Sequence, residues 1–238
     1  MRVFSIFLLL FFFLLNVYSQ SSNTKIINLQ NFDQKKIHFG YFVGMNEYDY
    51  KLDYVINPEK RTLISDQAGI NVGLIGDLKL RKNLNLRFEP GLYTNKSEIV
   101  FYDRQIIGKE FERNSDTLRS IKSTYIHLPL LLKYSAKRLN NFKPYILGGL
   151  STSFNLSSNQ NSPDDNNNGV FRLKTNTFYY ELGFGIDFYL PYFKFSPSIR
   201  GVFSLENELV PDSDTESPWT SNIDKMSARA IFINFSFH

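Results

Sequence analysis

The chain has no cysteine, which excludes disulfides, thiolate metal sites and a lipid anchor on an N-terminal cysteine. It also has little continuous apolar sequence. Beyond Val3 to Leu15, no segment approaches the roughly 18 apolar residues of a membrane-spanning helix. Charge of one sign is nowhere concentrated. The 27 Lys and Arg residues against 23 Asp and Glu give +4, spread without a basic run, so nucleic acid is not an expected partner. G-x-x-x-x-G-K, H-E-x-x-H and G-x-S-x-G are all missing, and no small-molecule substrate is expected.

The apolar residues that are present fall on alternate positions. Ile231, Ile233, Phe235 and Phe237 alternate with Ala230, Phe232, Asn234 and Ser236. A period of two is that of a β-strand with one apolar and one mixed face. The pattern recurs over 36–46, 68–80, 84–101, 121–136, 142–157, 175–190, 192–206 and 226–238. Links between these segments alternate in length. Those at 81–83, 137–141 and 191–192 are tight, whereas 47–67, 102–120, 158–174 and 207–225 are long and polar. The expected fold is therefore all-β, an eight-stranded antiparallel transmembrane barrel in the bacterial outer membrane, with short periplasmic turns and long extracellular loops. An even strand count puts both ends of the barrel on the periplasmic side.

The N-terminus fits that location. Arg2, the run Val3 to Leu15, and Val17-Tyr18-Ser19 have the three parts of a signal peptide, with cleavage expected after Ser19. The expected division is 1–19 signal peptide, 20–35 polar periplasmic lead-in and 36–238 barrel. A retained anchor is the alternative, but the run is short for a bilayer.

Alternation also assigns faces. Phe178, Tyr180, Leu182, Phe184, Ile186, Phe188 and Leu190 should face lipid, as should Phe193, Phe195, Ile199 and Phe203. So should Leu84, Leu86, Phe88 and Leu92, and Ile126, Leu128, Leu130, Leu132 and Tyr134. The opposite face carries Asp77, Lys79, Arg87, Glu89, Lys133, Glu181, Asp187, Lys194 and Arg200. Eight staves enclose too little space for an open pore, so these charges should pair in a filled interior. A soluble lipid-carrier barrel, apolar inside, is the competing architecture. Pro90, Pro129, Pro144 and Pro197 fall inside strand segments and remove ladder donors, so bulges or strand ends are expected there.

No catalytic, cofactor-binding or metal-binding residues are expected, and no cofactor. His38, His127 and His238 lie on separate strands, and His127 reads as a satisfied interior side chain. A lipid-A-modifying enzyme would need its His with Ser or Glu on the lipid face, which Ile126, Leu128 and Leu130 fill. Asp164 to Gly169 resembles half of a calcium loop but lacks the closing Glu, because Thr175 stands at position twelve. Gly73, Gly76, Gly148, Gly149, Gly183 and Gly185 read as close-packing sites. Aromatic belts are expected from Tyr189, Tyr192, Phe193 and Phe235 below and from Tyr48, Tyr50, Phe101, Tyr102, Phe154 and Trp219 above. Tyr48, Tyr50, Tyr54 and Trp219 are candidate partner anchors, with loop 47–67 the preferred binding segment.

The proline-containing segments Phe88-Glu89-Pro90-Gly91-Leu92-Tyr93, Tyr125 to Tyr134 and Lys143-Pro144-Tyr145-Ile146-Leu147-Gly148-Gly149 resemble recurring segments of Bacteroidetes outer-membrane β-barrel proteins. The opening His38 to Asn46, followed by Asp49-Tyr50-Lys51-Leu52, is similar to the first strand of the PorT (SprT) family of the type IX secretion system. That resemblance implies a non-enzymatic accessory component of protein secretion, in contact with outer-membrane lipid and other secretion-system proteins. A structural or adhesin-like barrel is the alternative.

Overall fold

A computed structural model describes residues 26–56, 62–101, 118–158, 160, 172–214, 217 and 219–238. The alternating segments form ten antiparallel strands. They are β1 (Ile37–Tyr54), β2 (Leu63–Gln67), β3 (Gly69–Lys79), β4 (Leu84–Phe88), β5 (Gly91–Val100), β6 (Leu118–Ser135), β7 (Phe142–Asn155), β8 (Asn176–Tyr189), β9 (Lys194–Ser204) and β10 (Ile223–Phe237). Two pairs are single staves with a break. β2 and β3 part at Ala68, and β4 and β5 part at Glu89-Pro90. Eight staves therefore close into a ring, each pairing its neighbour in sequence, with β1 pairing β10 on one side and β3 on the other. Closure matters because it removes the free edges an open sheet would carry.

The prolines sit where a ladder is interrupted. Pro90 and Pro129 share one gap in the pairing of the β4–β5 stave with β6. Pro144 lies one step past the end of the β6–β7 ladder, and Pro197 in a gap between β8 and β9. Three of the four remain inside named strands, so the missing donors cost local pairs without ending the element.

The assigned faces hold. Leu182 and Phe184 are 60% and 63% exposed on the outer wall, while Glu181 between their neighbours is 1% exposed in the lumen. Leu92, Leu130 and Ile231 are likewise outward, against Tyr93, Leu131 and Phe232 inside. An apolar-inside lipid carrier would need the reverse. Glycines make the interior room. A Cβ on Gly183 would lie 2.5 Å from the Arg200 side chain, and one on Gly185 would lie 2.5 Å from the Tyr145 ring.

One boundary differs from the sequence expectation. β1 runs to Tyr54, eight residues past Asn46, and β2 begins at Leu63. Most of 47–67 is strand. Its charged residues Glu47, Asp49, Lys51 and Asp53 occupy the outward positions of β1, opposite Ile231, Arg229, Ser227 and Lys225 of β10. Their polarity reflects water outside the wall, since the staves here rise above the apolar band. Lys96 and Lys122 continue this charged ring on β5 and β6, at outward positions paired with each other. We call this rising part the collar.

Candidate functional site

The lumen is filled, and its two levels differ. At membrane level, four carboxylates (Asp77, Glu89, Glu181, Asp187) face four cations (Arg87, Arg200, Lys133, Lys194), all buried. Arg87 donates to Asp77 at 2.7 and 3.0 Å and to Glu89 at 3.1 Å. Arg200 then bridges Glu89 and Glu181 at 3.0 and 3.2 Å. Lys133 donates both ways to Asp187 at 2.7 and 2.8 Å, and Ser196 adds a bond of 2.7 Å. The Asn234 amide lies 3.0 Å from Asn71 and 2.8 Å from Arg200, and Asn46 donates to Asn71, which ties in β10, β3 and β1. Seven of the eight staves thus contribute, and β7 joins them through Ser153. Burying these charges is costly, and each is retained only because its partner is held in place.

His127 lies within this network. Its Nε2 is 2.8 Å from Glu181 Oε1 and its Nδ1 is 2.6 Å from Ser153 Oγ. An ionised carboxylate only accepts, so Nε2–H donates to Glu181, and in the neutral imidazole Nδ1 accepts from the Ser153 hydroxyl. The residue types are those of a hydrolytic triad. All three are at most 2% exposed, with Tyr93, Tyr179 and Phe232 rings around the imidazole, so no substrate reaches them in this state. Sequence reasoning placed His127 inside but missed this constellation, because Ser153 and Glu181 lie on two other strands.

Above the network the lumen becomes apolar and aromatic. Tyr48, Tyr50, Tyr93, Tyr125, Tyr179 and Phe232 pack with Ile99, Ile121, Val202 and Met226. Tyr48 and Tyr125 stack at 5.5 Å, and Tyr179 donates to Glu208 at 3.0 Å. Glu208 belongs to the loop after β9, and burial pushes its carboxyl up to about 7. The same loop lays Leu209 against Leu173 across the mouth. Its backbone is held by Lys174 N–H donating to Glu208 O at 3.0 Å, and by Glu208 N–H donating to Met226 O at 2.9 Å. Arg119 sits 4.1 Å from the Trp219 ring.

The periplasmic mouth is closed by the chain's own N-terminal part. Residues 26–36 cross it with a 3-10 turn at Phe32–Gln34. Phe32 stacks on His38 at 4.4 Å, and Lys194 lies 4.8 Å from the same ring. Asp33 accepts from Tyr189 at 2.8 and 2.9 Å, and Lys79 donates to its carbonyl at 2.6 Å. Arg138 holds the carbonyls of Asn28 and Leu29. A segment expected only as a polar lead-in is thus part of the plug. No alternating signal marks it, which is why its sequence reads as a linker. The chain end is at the same mouth, with Lys194 and His238 exchanging backbone bonds of 3.0 Å.

Several expected positions need correction. Tyr48 and Tyr50 are neither belt residues nor loop anchors, since the period of two continues past Asn46 and turns both into the lumen. Phe101 and Tyr189 are also buried inside. Tyr54 and Trp219 pack half-buried against the upper core. Tyr192, Phe193 and Phe154 do face outward. Tyr102, the Asp164 to Gly169 segment and the signal sequence lie outside the described residues. No group of three or more His, Asp or Glu side chains suited to a metal occurs among the described residues.

Among the described residues, the wall is split at collar level between β1 and β2. The β1–β3 ladder stops at Asn46↔Gly69, and above it β1 pairs only with β10 while β2 pairs only with β5. A cavity of about 580 Å³ lies there, lined by Tyr50, Leu52, Tyr54, Thr62, Ile64 and Arg229 among others.

Solved structures with similar architecture include three outer-membrane proteins. OprG from Pseudomonas aeruginosa is 14% identical, covers 84% of this chain and 93% of its own, and has a TM-score of 0.45. AlkL, solved in lipid bilayers, is 10% identical over 92% and 93% with a TM-score of 0.42. Ail, the attachment invasion locus protein of Yersinia pestis, is 8% identical over 85% and 98% with a TM-score of 0.35. No curated protein matches the chain. The family of the outer membrane protein beta-barrel domain matches residues 18–210, most of the chain. With the outward apolar wall and closed ring, that match establishes the chain as an outer-membrane protein belonging to the outer membrane protein beta-barrel domain family.

Proposed function

We propose that this protein is a non-enzymatic accessory component of protein secretion across the outer membrane, of the type IX, PorT-like kind, acting through contacts with other secretion-system proteins. The observation that carries the reading is the lumen, filled by the ion network and closed at both mouths. A barrel so filled does not conduct cargo, and its Ser153, His127 and Glu181 lie where no substrate enters. What remains for function is the outer surface. The PorT-like segment His38 to Leu52 supports the secretion assignment, and it forms most of β1, including its rise above the membrane. Residues 1–19 would direct export and be removed. Deleting the gene in its host and assaying culture fluid for type IX cargo tests the proposal. Loss of cargo with other outer-membrane proteins intact supports it, and normal secretion refutes it.

A second reading, a structural or adhesin-like barrel, is favoured by the collar, which carries a folded apolar core beyond the bilayer. In that case deletion leaves secretion normal and changes surface adhesion or envelope integrity.

A further inference from the structure

We propose that the split between β1 and β2 is a docking edge, where an extended segment of another protein adds a strand to the collar. Elsewhere in the described collar Leu118–Ser123 of β6 and Ile223–Ala228 of β10 are also laddered on one side only, but neither faces a second free strand edge. Here β1 from Glu47 to Tyr54 and β2 from Leu63 to Gln67 present facing edges with no ladder between them. The cause is local. The pairing of β2 with β5 is slipped by one residue relative to that of β3 with β5, so the stave kinks at Ala68. Gly69 is drawn so close to β5 that an added Cβ would collide with the Thr94 carbonyl. β2 therefore leans onto β5 and leaves β1.

The chemistry of the opening selects its occupant. Unpaired strand edges offer alternating N–H and C=O groups at the strand repeat, which an extended peptide matches and a lipid chain or sugar does not. Lipid is excluded by position as well, because the outward residues at this level are Glu47, Asp49, Lys51 and Asp53. The lumen-facing side of the opening is Tyr50, Leu52, Tyr54 and Ile64, so the inserted strand is apolar at every second residue. Val55, Ile56 and Leu63 at the rim are 66%, 67% and 57% exposed although they stand in water, a small apolar patch of the kind that marks an interaction surface. The inference holds whether or not the partner belongs to a secretion system.

The test uses the full barrel in detergent micelles and a short fluorescein-labelled peptide alternating Val with Lys, read by anisotropy. A companion peptide carries N-methyl groups on alternate residues, which removes the donors toward one edge and leaves the side chains. Strand addition predicts binding of the first and about tenfold weaker binding of the second, as expected for one or two lost net hydrogen bonds. Because the chain has no cysteine, Leu52→Cys with Thr62→Cys gives a unique pair for a bifunctional maleimide with a reducible linker, which spans an opening too wide for a direct disulfide. Cross-linking should abolish binding and cleavage of the linker restore it. If that pair fails to give a heat-modifiable barrel, a photo-cross-linker at Ile64 in the otherwise native chain must label the peptide. Equal binding of both peptides, binding unaffected by the cross-link, or no labelling from position 64 overturns the proposal. Concentration-dependent dimers that the peptide fails to disperse also overturn it, by assigning the edge to a second copy.

Discussion

The membrane-level half of the barrel and the collar above it are built from the same staves with opposite polarity. In the lower half the outer wall is apolar, and the lumen holds Asp77, Arg87, Glu89, Lys133, Glu181, Asp187, Lys194 and Arg200. In the collar the outer wall carries Glu47, Asp49, Lys51, Lys96, Lys122 and Arg229, and the lumen holds tyrosines, isoleucines and Met226. On β1 the exchange occurs near Asn46, while the period of two runs through it without a break. The solvent outside explains it. Where lipid surrounds the wall, polar side chains have only the lumen to occupy, and they pair there. Where water surrounds it, the collar is an ordinary small β-barrel with an apolar core. The comparison teaches that strand periodicity fixes which residues share a face, and that the surrounding medium decides which face is apolar.

The largest expected effect comes from breaking the lower network. Arg200→Ala leaves Glu89 and Glu181 facing each other without their shared cation, and should cost about 3–5 kcal/mol in urea unfolding from lipid vesicles. A cost below that of a collar substitution would mean the network is not the organising element of the lower half. Next is the wall itself. Leu182→Arg should cost about 2–4 kcal/mol, the penalty for a lipid-facing cation near mid-membrane. The reciprocal change Lys51→Leu, on the same kind of outward position in the collar, should leave unfolding unchanged. If both behave alike, the membrane boundary is misplaced.

The collar should also respond to pH. Glu208, buried beneath its own loop, titrates near 7 in the fold and near 4.5 in the unfolded chain. Its raised value means the folded state favours the protonated form. The contribution is complete below about pH 4.5 and is lost as pH rises through 7, amounting to roughly 3 kcal/mol. Protection of the 205–214 backbone in hydrogen exchange should therefore fall between pH 5 and pH 8, and Glu208→Gln should abolish that trend. A small effect is also expected at the exposed pair of Arg229 with Asp49, 2.5 Å apart on the collar wall. Arg229→Ala should cost less than about 1 kcal/mol, as surface ion pairs do, against the several expected for Arg200.

Much of this was legible in the residues. Alternation identified the strands, their parity and the lumen charges, because a side-chain period of two survives any detail of packing. It misled at Tyr48 and Tyr50 because charged neighbours were taken as the mark of a loop. Outward charge marks a loop only if the wall stops at the membrane, and here it continues. The sequence by itself determined an antiparallel barrel with a polar lumen and its membrane location. Only the tertiary structure decided which charges pair, since Arg200, Glu89, Glu181 and His127 meet across staves distant in sequence. The fold of residues 26–36 into the periplasmic mouth was decided there too, as was the split between β1 and β2. The first depends on the ring's closure and the second on a one-residue slip at Ala68, and neither leaves a periodic trace along the chain.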